Sequence, residues 1–540
     1  MNFLFISRVF GRVHRNKLRA YIRGHTLLKN SDQFGLMRRI GEGLSDTCFP
    51  NVDGHSSKHI FGVGHLHSER ITRQYLLHRH AGAALNKAIL YSLARKSEGV
   101  VYPLPSEWQD VLIKHEIVVN QRRSYYAWIA LVFYYWGYGF WTTVKLAATS
   151  LWKTRLQNVA TPCRYSYFDG LSPSNLPQPS LGGHSHDICS WYSLFNERDT
   201  NLEAICHSVS GSKPIILNRL RVEYVDYPFQ MLHGFTRVIR FAAWGIKAIT
   251  ISAVDALHGR WWHAFLLAEA AKAKAIQLCD PSRLANEYFF HYSGSVYRPM
   301  WTYEAEKNGS QISCYFYSTS EQVKLPEGYV SQRYEWGAAS WPNYLVWDEY
   351  QAEVIRRDID QSSTVKVVGP IWFSDSSVNL PDFPERSIAV FDIQPHRKVS
   401  HLGFSTMAEY LAKNPYMYIQ FLQDIHAIFL ECGITMVFKK KREIGSRGVK
   451  MYKKLTQSLA QSNDVVFVDP SISAIRVIER CKGVISMPFT STALYLRDQG
   501  IPSVYYDPTG WIQKDDRGAH GIPILSGINE LREWVEKVAR

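Results

Sequence analysis

A turn rich in hydroxyl groups offers the most specific chemistry in this sequence. It follows a short apolar run, residues 483–487, that is typical of a buried strand, and it precedes a helical segment that Gly500 can end. A helix N-terminus carries unpaired N–H groups and a partial positive charge, so neighbouring hydroxyl groups would complete a seat for a phosphate. The same residues could equally form an ordinary helix cap. The candidate phosphate-binding residues of this turn are Ser486, Thr490, Ser491 and Thr492.

Basic residues follow two further predicted strands in the same half of the chain. Strand-like runs at residues 388–393 and 434–438 flank a helical stretch at 418–430, which predicts a parallel, doubly wound sheet. Ligands of such sheets bind beyond the carboxyl ends of the strands. We therefore expect three anion-binding loops at one edge of the sheet, although a lone basic run is usually a solvated surface feature. The basic candidates are Arg397, Lys398, Lys439, Lys441 and Arg442.

The segment Ser-Met-Pro-Phe-Thr-Ser-Thr at residues 486–492 resembles the signature of the bacterial polysaccharide-biosynthesis proteins called the PFTS-motif family. More distantly, residues 340–525 resemble the nucleotide-binding domain of GT-B glycosyltransferases, including those that use CMP-activated sialic acid or Kdo. The resemblance implies that Ser491 and Thr492 hold the phosphate of a CMP- or UDP-linked sugar donor. These relatives often carry a His-Pro or Lys-Pro-His element where this chain has Lys-Lys-Lys-Arg at 439–442, so the base of the nucleotide is left open.

The length of the chain predicts two domains. Its 540 residues are more than a domain with a single hydrophobic core usually contains. Of these residues, 46% are hydrophobic and 20% are charged. We expect an acceptor-side domain over residues 1–373, a linker over 374–387 and a nucleotide-binding domain over 388–540. Together with the GT-B resemblance, this predicts an α/β fold of two Rossmann-like domains facing each other across a cleft. An aromatic, membrane-associating insertion at 124–152 would interrupt the first domain.

The net charge indicates the class of partner, and the cysteine pattern indicates the cellular compartment. A formal net charge of +14 favours anionic partners. Because the sequence carries no signature of a nucleic-acid-binding module, phosphorylated substrates and acidic lipid are preferred. Eight cysteines without a CxxC pair point to a reducing compartment. Residues 184–189 hold two histidines and a cysteine in no familiar zinc spacing, so we predict no metal and no cofactor besides the nucleotide-sugar substrate.

Residues 124–144 carry no charge and are crowded with aromatic side chains, between Arg123 and Lys145. The run is just long enough to span a bilayer, but Tyr and Trp prefer its interface, and Gly137 and Gly139 weaken a straight helix. We predict a cytoplasmic protein peripherally attached to an anionic inner membrane, with a true span or a plain buried helix pair as alternatives. The basic, amphipathic N-terminus could lie on that membrane or on the protein's own core.

A catalytic base would have to come from the first half of the chain, opposite the nucleotide. Runs at 215–217, 248–251 and 275–278 are strand-like or buried there. Residues 287–320 combine aromatic side chains with carboxylates, which suits sugar binding, although core aromatics explain the pattern as well. Glu304 in this stretch is the first candidate for the base, and Asp226 is the second. Both could serve structural hydrogen bonds instead.

Together these features predict a metal-independent GT-B glycosyltransferase of bacterial surface polysaccharide synthesis. It would transfer a sugar from the nucleotide-linked donor to a glycan or lipid-linked acceptor. The alternative is a non-catalytic membrane scaffold or polysaccharide-binding protein with a vestigial nucleotide domain. The basic loops distinguish the two, because a scaffold has no need for cations that converge on a phosphate seat.

Overall fold

The computed structural model describes residues 31–49, 52, 69–81, 85, 88–89, 92, 99–155, 164–171, 173–177, 187–195, 202–217, 220–228, 232–291, 297–316, 339–359, 362–370, 379–395, 415–440, 445, 448–470, 472–510 and 512–540. Its helices are α1 (Ser31–Ser45), α2 (Glu69–His80), α3 (Ser106–Lys114), α4 (Gln121–Arg155), α5 (Ile188–Phe195), α6 (Phe235–Leu257), α7 (Trp261–Leu278), α8 (Trp301–Lys307), α9 (Glu349–Asp358), α10 (Pro415–Cys432), α11 (Lys450–Leu459), α12 (Ala474–Ile478), α13 (Thr492–Gln499) and α14 (Gly527–Ala539). Its strands are β1 (Tyr165–Phe168), β2 (Ala204–His207), β3 (Ile215–Leu217), β4 (Leu220–Tyr224), β5 (Glu287–His291), β6 (Gln311–Tyr315), β7 (Asn343–Val346), β8 (Thr364–Val367), β9 (Ser387–Phe391), β10 (Thr435–Lys439), β11 (Val465–Val468), β12 (Val484–Ser486), β13 (Ser503–Asp507) and β14 (Ile524–Ser526).

The first sheet has the strand order β3-β4-β2-β1-β5-β6-β7-β8 within the described part of the chain. Its neighbouring strands are parallel except for the β3–β4 pair. The central strand β1 is buried along its whole length, as in a parallel sheet that is covered on both faces. From β1 the chain builds outward to β2 on one side and to β5 on the other. The switch point, where a crevice opens at the carboxyl ends of the strands, therefore lies between β1 and β5.

The second sheet is fully parallel, in the order β11-β10-β9-β12-β13-β14. Counted from β9, this is the 3-2-1-4-5-6 order of dinucleotide-binding domains. The prediction that residues 388–393 and 483–487 belong to one sheet is confirmed, because β9 and β12 pair directly, with Val390 opposite Ile485. The switch point of this sheet lies between these two strands. The chain is thus α/β with two parallel sheets, as the sequence predicted.

Helices α4, α6 and α7 pack on one another beside the first sheet. The two glycines expected to weaken α4 do not interrupt it; Gly139 instead lets α7 approach, since a Cβ there would lie 2.6 Å from the Cβ of Leu267. The indole of Trp136 donates a 3.1 Å hydrogen bond to the carbonyl of Ile249 on α6. Of the helices that the structure describes, none combines the length and the hydropathy that a membrane crossing requires.

The two sheets meet through α9 and the residue before it. Asp348 is the second residue after β7 and accepts hydrogen bonds from Nδ1 of His520 at 2.9 Å and from Nη1 of Arg497 at 3.0 Å. Ile355 of α9 belongs to the same buried apolar cluster as Leu494 of α13. The carboxyl end of β7 is therefore directed at the unit of the second sheet. The domain bounds 1–373, 374–387 and 388–540 stay predictions, and residues 371–378 of that region lie outside the described ones.

Candidate nucleotide-binding and catalytic site

The hydroxyl-rich turn directly follows β12, at the switch point of the second sheet. Phe489 in this turn has a left-handed backbone, with φ of 63°, which is rare for an aromatic residue. Its buried ring lies 6.1 Å from the ring of Tyr505, whose hydroxyl donates a 2.8 Å hydrogen bond to the carbonyl of Thr490. The fold thus holds the turn in a strained shape, which is a feature of many binding sites.

The four hydroxyl groups of the turn have different roles. Thr492 and Ser486 share a hydrogen bond of 3.1 Å between their side chains, and Thr490 donates to the carbonyl of Met487 at 2.9 Å. Ser491 occupies the N-cap position of α13, but its side chain makes no capping hydrogen bond. In an ordinary cap the Ser491 hydroxyl would accept a hydrogen bond from one of the first N–H groups of α13. Here that bond is not made, so the Ser491 hydroxyl and these N–H groups do not use each other as partners. That geometry suits an anionic acceptor at this helix end.

Two buried polar side chains follow the neighbouring strand β9. Burial raises the pKa of Asp392 to about 7, although the Tyr452 hydroxyl, which donates to Oδ2, and the charge of Lys440 act against this rise. Among the polar atoms of the described residues, Asp392 Oδ1 and Gln394 Oε1 are buried without a hydrogen-bond partner. Buried acceptors at a switch point are the groups that a polar ligand with N–H or O–H donors would satisfy.

Lys439, the last residue of β10, is the one basic candidate that the described residues include. Its ammonium group donates to the carbonyl of Pro470 at 3.1 Å, and burial lowers its pKa. A buried cation held by carbonyl groups at the carboxyl end of a strand is available to an anionic ligand. The other four basic candidates lie outside the described residues and stay predictions: Arg397, Lys398, Lys441 and Arg442.

The switch point of the first sheet carries a second set of polar residues. Asp169 and Gly170 follow β1, and His291 ends β5. Burial raises the pKa of Asp169, although the Tyr167 hydroxyl, which donates to Oδ1 at 3.3 Å, and the charge of His291 lower it. Burial lowers the pKa of His291, although the charge of Asp169 and a hydrogen bond with the Gly170 backbone act against this, and so favours the neutral ring. A neutral histidine near a carboxylate is a suitable general base.

Glycine is required at position 170 for two reasons. Its φ of +70° is one that side-chain-bearing residues rarely adopt, and a Cβ on it would overlap Nε2 of His291. The amide of Gly170 also donates to the hydroxyl of Ser208, which follows β2, at 3.1 Å. The turn after β1 therefore sets the position of the His291 ring.

The two carboxylates predicted as catalytic bases lie elsewhere on the first unit. Glu304 is buried on α8 and forms a 3.2 Å ion pair with Lys307. Asp226 is exposed after β4 and accepts a 2.9 Å hydrogen bond from the hydroxyl of Tyr224. Both stay predictions, but neither is at the β1–β5 switch point. Asp169 and His291 were missed, although the rule that drew attention to the strand ends of the second sheet applies to them as well.

A family described as "Polysaccharide biosynthesis PFTS motif protein" matches residues 244–535, which is more than half of the chain. The chain belongs to this family. The match covers both β5 with His291 and the family's motif after β12. No curated protein matches the chain in sequence.

Several solved structures are similar to this family member. One is a UDP-GlcNAc 2-epimerase from Methanocaldococcus jannaschii, with 10% identity, a TM-score of 0.36 and coverage of 69% of this chain and 91% of that chain. Another is the wall teichoic acid polymerase TagF, with 11% identity, a TM-score of 0.34 and coverage of 74% and 85%. A third is the lipopolysaccharide outer core galactosyltransferase WaaB, with 10% identity, a TM-score of 0.32 and coverage of 69% and 90%.

Proposed function

We propose that this protein is a glycosyltransferase of polysaccharide synthesis that takes its sugar from a CMP- or UDP-linked donor. The observation that carries the proposal is the crevice between β9 and β12. There the uncapped α13 N-terminus with Ser491, the buried ammonium group of Lys439 and the buried acceptors of Asp392 and Gln394 lie at neighbouring strand ends. Hydroxyl and N–H donors with a cation suit a nucleotide phosphate, and buried acceptors suit the polar groups of a sugar or base.

In this proposal the departing nucleotide is stabilised by protein groups, without a metal ion. The helix N-terminus and Lys439 would favour the negative charge that grows on the phosphate as the glycosidic bond breaks. His291, oriented by the Gly170 turn and near Asp169, would take the proton from the acceptor hydroxyl. We prefer it to Glu304, which is buried in an ion pair on α8. The acceptor would be a glycan or a lipid-linked glycan.

The proposal includes peripheral attachment to an anionic membrane on its cytoplasmic side. Helices α4 and α6 expose large apolar side chains, and α4 contains no acidic residue. The single acidic residue of α6, Asp255, is paired with Arg260 and His263. We call the following exposed residues the apolar face: Tyr126, Phe140, Trp141, Val144 and Trp152 of α4, and Phe235, Ile239, Ile246 and Leu257 of α6. An exposed apolar surface on two helices that also carry arginine and lysine residues suits the interface of an anionic bilayer.

Nucleotide binding and turnover test the enzymatic part. We expect the purified protein to bind CMP or UDP in calorimetry, and to hydrolyse or transfer from the matching sugar nucleotide in the presence of EDTA. His291→Gln should abolish turnover while nucleotide affinity stays within about twofold, because the base acts on the acceptor. Binding without turnover by any sugar nucleotide would favour the non-catalytic alternative. Absence of binding to every nucleotide would contradict the proposal.

Vesicle binding tests the membrane part with point variants, because α4 supplies core residues such as Trp128 and Leu131 and its deletion would unfold the first unit. Phe140→Ser with Ile246→Ser removes two exposed residues of the apolar face and should lower the affinity for anionic vesicles about tenfold or more. The matched control is Tyr416→Ser with Leu430→Ser, an equally exposed pair on α10. Equal effects of the two pairs would contradict the assignment.

A further inference from the structure

A groove of about 730 Å³ lies between α4, α7, the residues that follow β4 and the start of α8. Its wall combines aromatic rings with two ammonium groups: Tyr138, Trp141 and Lys145 from α4, Tyr227 after β4, Lys272 from α7 and Trp301 of α8. The three α4 residues are spaced at i, i+3 and i+7, so they form one stripe along the helix. The proposed nucleotide site on the second sheet uses none of these residues.

The charges around the groove favour an anion. Lys272 and Arg79 both form ion pairs with the buried carboxylate of Glu269, at 2.9 and 3.1 Å. This leaves one of the two cations uncompensated. The ammonium group of Lys145 lies 5.5 Å from the ring centre of Tyr227 and has Asp226 as its carboxylate neighbour. Among the described residues that line the groove, two are lysines and none is acidic, so its wall carries a positive charge.

The groove is continuous with the apolar face. Trp141 is 61% exposed and belongs to both surfaces, and Tyr138 beside it is 38% exposed. The lining also includes Tyr227, which follows β4, and Trp301, whose ring lies 5.9 Å from the ring of Phe290, the residue before His291 in β5. A molecule in the groove would therefore reach from the apolar face toward the edge of the sheet that carries the proposed base.

We propose that this groove binds the phosphate-bearing head of a lipid-linked acceptor, with its hydrocarbon chain along the apolar face. The inference rests on the proposed function and names the class of acceptor, an ester of phosphate or diphosphate with a long-chain alcohol. Lys145 and Lys272 bind the phosphate oxygens, and the aromatic rings pack on the first carbons of the chain. The groove holds the amphiphile so that the sugar-accepting end points away from the apolar face.

Farnesyl phosphate, used below its micellar concentration, tests the groove in calorimetry with the full chain. We expect it to bind at least about tenfold more tightly than farnesol or inorganic phosphate, since each lacks one of the two recognised parts. Lys145→Gln and Trp141→Ala should each weaken its binding about fivefold or more. The matched controls are Lys247→Gln and Tyr416→Ala, which remove an ammonium group and an aromatic ring from exposed positions outside both the groove wall and the apolar face; we expect changes below about twofold.

Equal losses in all four variants would overturn the inference, because binding of the ligand would then not depend on the groove. Equal affinities for farnesyl phosphate and farnesol would overturn it as well. CMP and UDP titrations of the same samples separate this result from the proposed function. Nucleotide binding without binding of farnesyl phosphate refutes the groove alone, whereas the reverse result refutes the nucleotide site alone.

Discussion

Ser491 and Thr492 are adjacent in sequence, but the structure gives them different surroundings. Thr492 bonds to the side chain of Ser486 beneath the turn, whereas Ser491 makes no capping bond to α13. Removing the Thr492 hydroxyl would therefore break a hydrogen bond within the turn, whereas removing the Ser491 hydroxyl would break no capping bond. This difference makes it possible to separate a phosphate seat from a helix cap, which sequence alone leaves open.

Ser491→Ala should weaken CMP or UDP binding about ten- to a hundredfold, because a hydrogen bond to a charged group contributes about 1.5–3 kcal/mol. Its melting temperature should stay nearly unchanged, since no capping bond is lost. The control is Ser473→Ala on α12, where the side chain does cap, accepting from the amide of Ile475 at 3.3 Å. That variant should lose about 1 kcal/mol of stability and keep its nucleotide affinity. Unchanged affinity in Ser491→Ala would contradict the phosphate seat.

Asp392 makes the stability of the second unit depend on pH. Its pKa rises from 3.8 to about 7 through burial, so the folded protein binds a proton more tightly than the unfolded chain between these values. The stability from this group is therefore fully present below about pH 4 and is lost as pH rises to about 7. The loss is on the order of 4 kcal/mol at most.

Asp392→Asn should remove this dependence and stabilise the protein at pH 8 relative to the native residue, with little difference at pH 4. Urea unfolding of both proteins between pH 4 and pH 8 measures how the free energy of unfolding of each one changes with pH. Because Asn can still bond to the hydroxyl of Tyr452, the comparison mainly removes the charge. A variant that is less stable than the native protein at pH 8 would show that the Asp392 carboxylate is favourable when ionised.

At the scale of elements, the strand-to-turn segment after β1 positions His291. Gly170→Ala should displace the His291 ring and lower turnover at least about tenfold, because small misplacements of a base are costly. Nucleotide affinity should not change. The matched control is Gly211→Ala, which has a similar φ of +78° but nothing within 4 Å of the added Cβ. Both substitutions introduce backbone strain, so a loss of turnover in both to the same extent would contradict the positioning role of Gly170.

The sequence predicts the elements of the second sheet well and those of the first sheet poorly, for physical reasons. Strands such as β9 and β12 are short, continuous apolar runs between recognisable turns, so their ends and the residues there can be located. In contrast, β1 and β2 have only four residues each and include polar side chains such as Ser166 and His207. The runs at 248–251 and 275–278, interpreted as strand-like or buried, are parts of the long helices α6 and α7.

These differences determine which residues of the candidate site could be predicted from the sequence. The hydroxyl-rich turn and Lys439 follow from strand ends that the apolar pattern marks. Asp169 and His291 require the knowledge that β1 and β5 are neighbours across a switch point, and their sequence separation hides it. The contacts of α4 with α6 and α7 also depend on tertiary packing. They bury one side of the uncharged run and leave the other side exposed.

At the scale of the whole molecule, catalysis would require a fixed position of one unit relative to the other, because the proposed phosphate seat and the proposed base lie on different sheets. Helix α13 begins at the hydroxyl-rich turn and ends near Arg497, which is bonded to Asp348 of the first unit. Asp348 in turn accepts from His520 and from the amide of Gln351 at the start of α9. The junction thus links α13, which begins at the proposed phosphate seat, to the carboxyl end of β7.

Asp348→Ala should therefore lower both the melting temperature and kcat, with a smaller effect on nucleotide affinity. It leaves the partly buried Arg497 and the buried His520 without their carboxylate, a change that costs about 3 kcal/mol or more when the pair is well buried. The matched control is Glu353→Gln at the same junction. Its ion pair with Arg517 has both side chains at least half exposed, at 50% and 61%, so its loss should cost below about 1 kcal/mol. Calorimetric melting and steady-state kinetics of the two variants measure the difference. If Asp348→Ala weakens nucleotide binding as much as it lowers kcat, the junction supports the nucleotide site itself rather than the alignment of the two sheets.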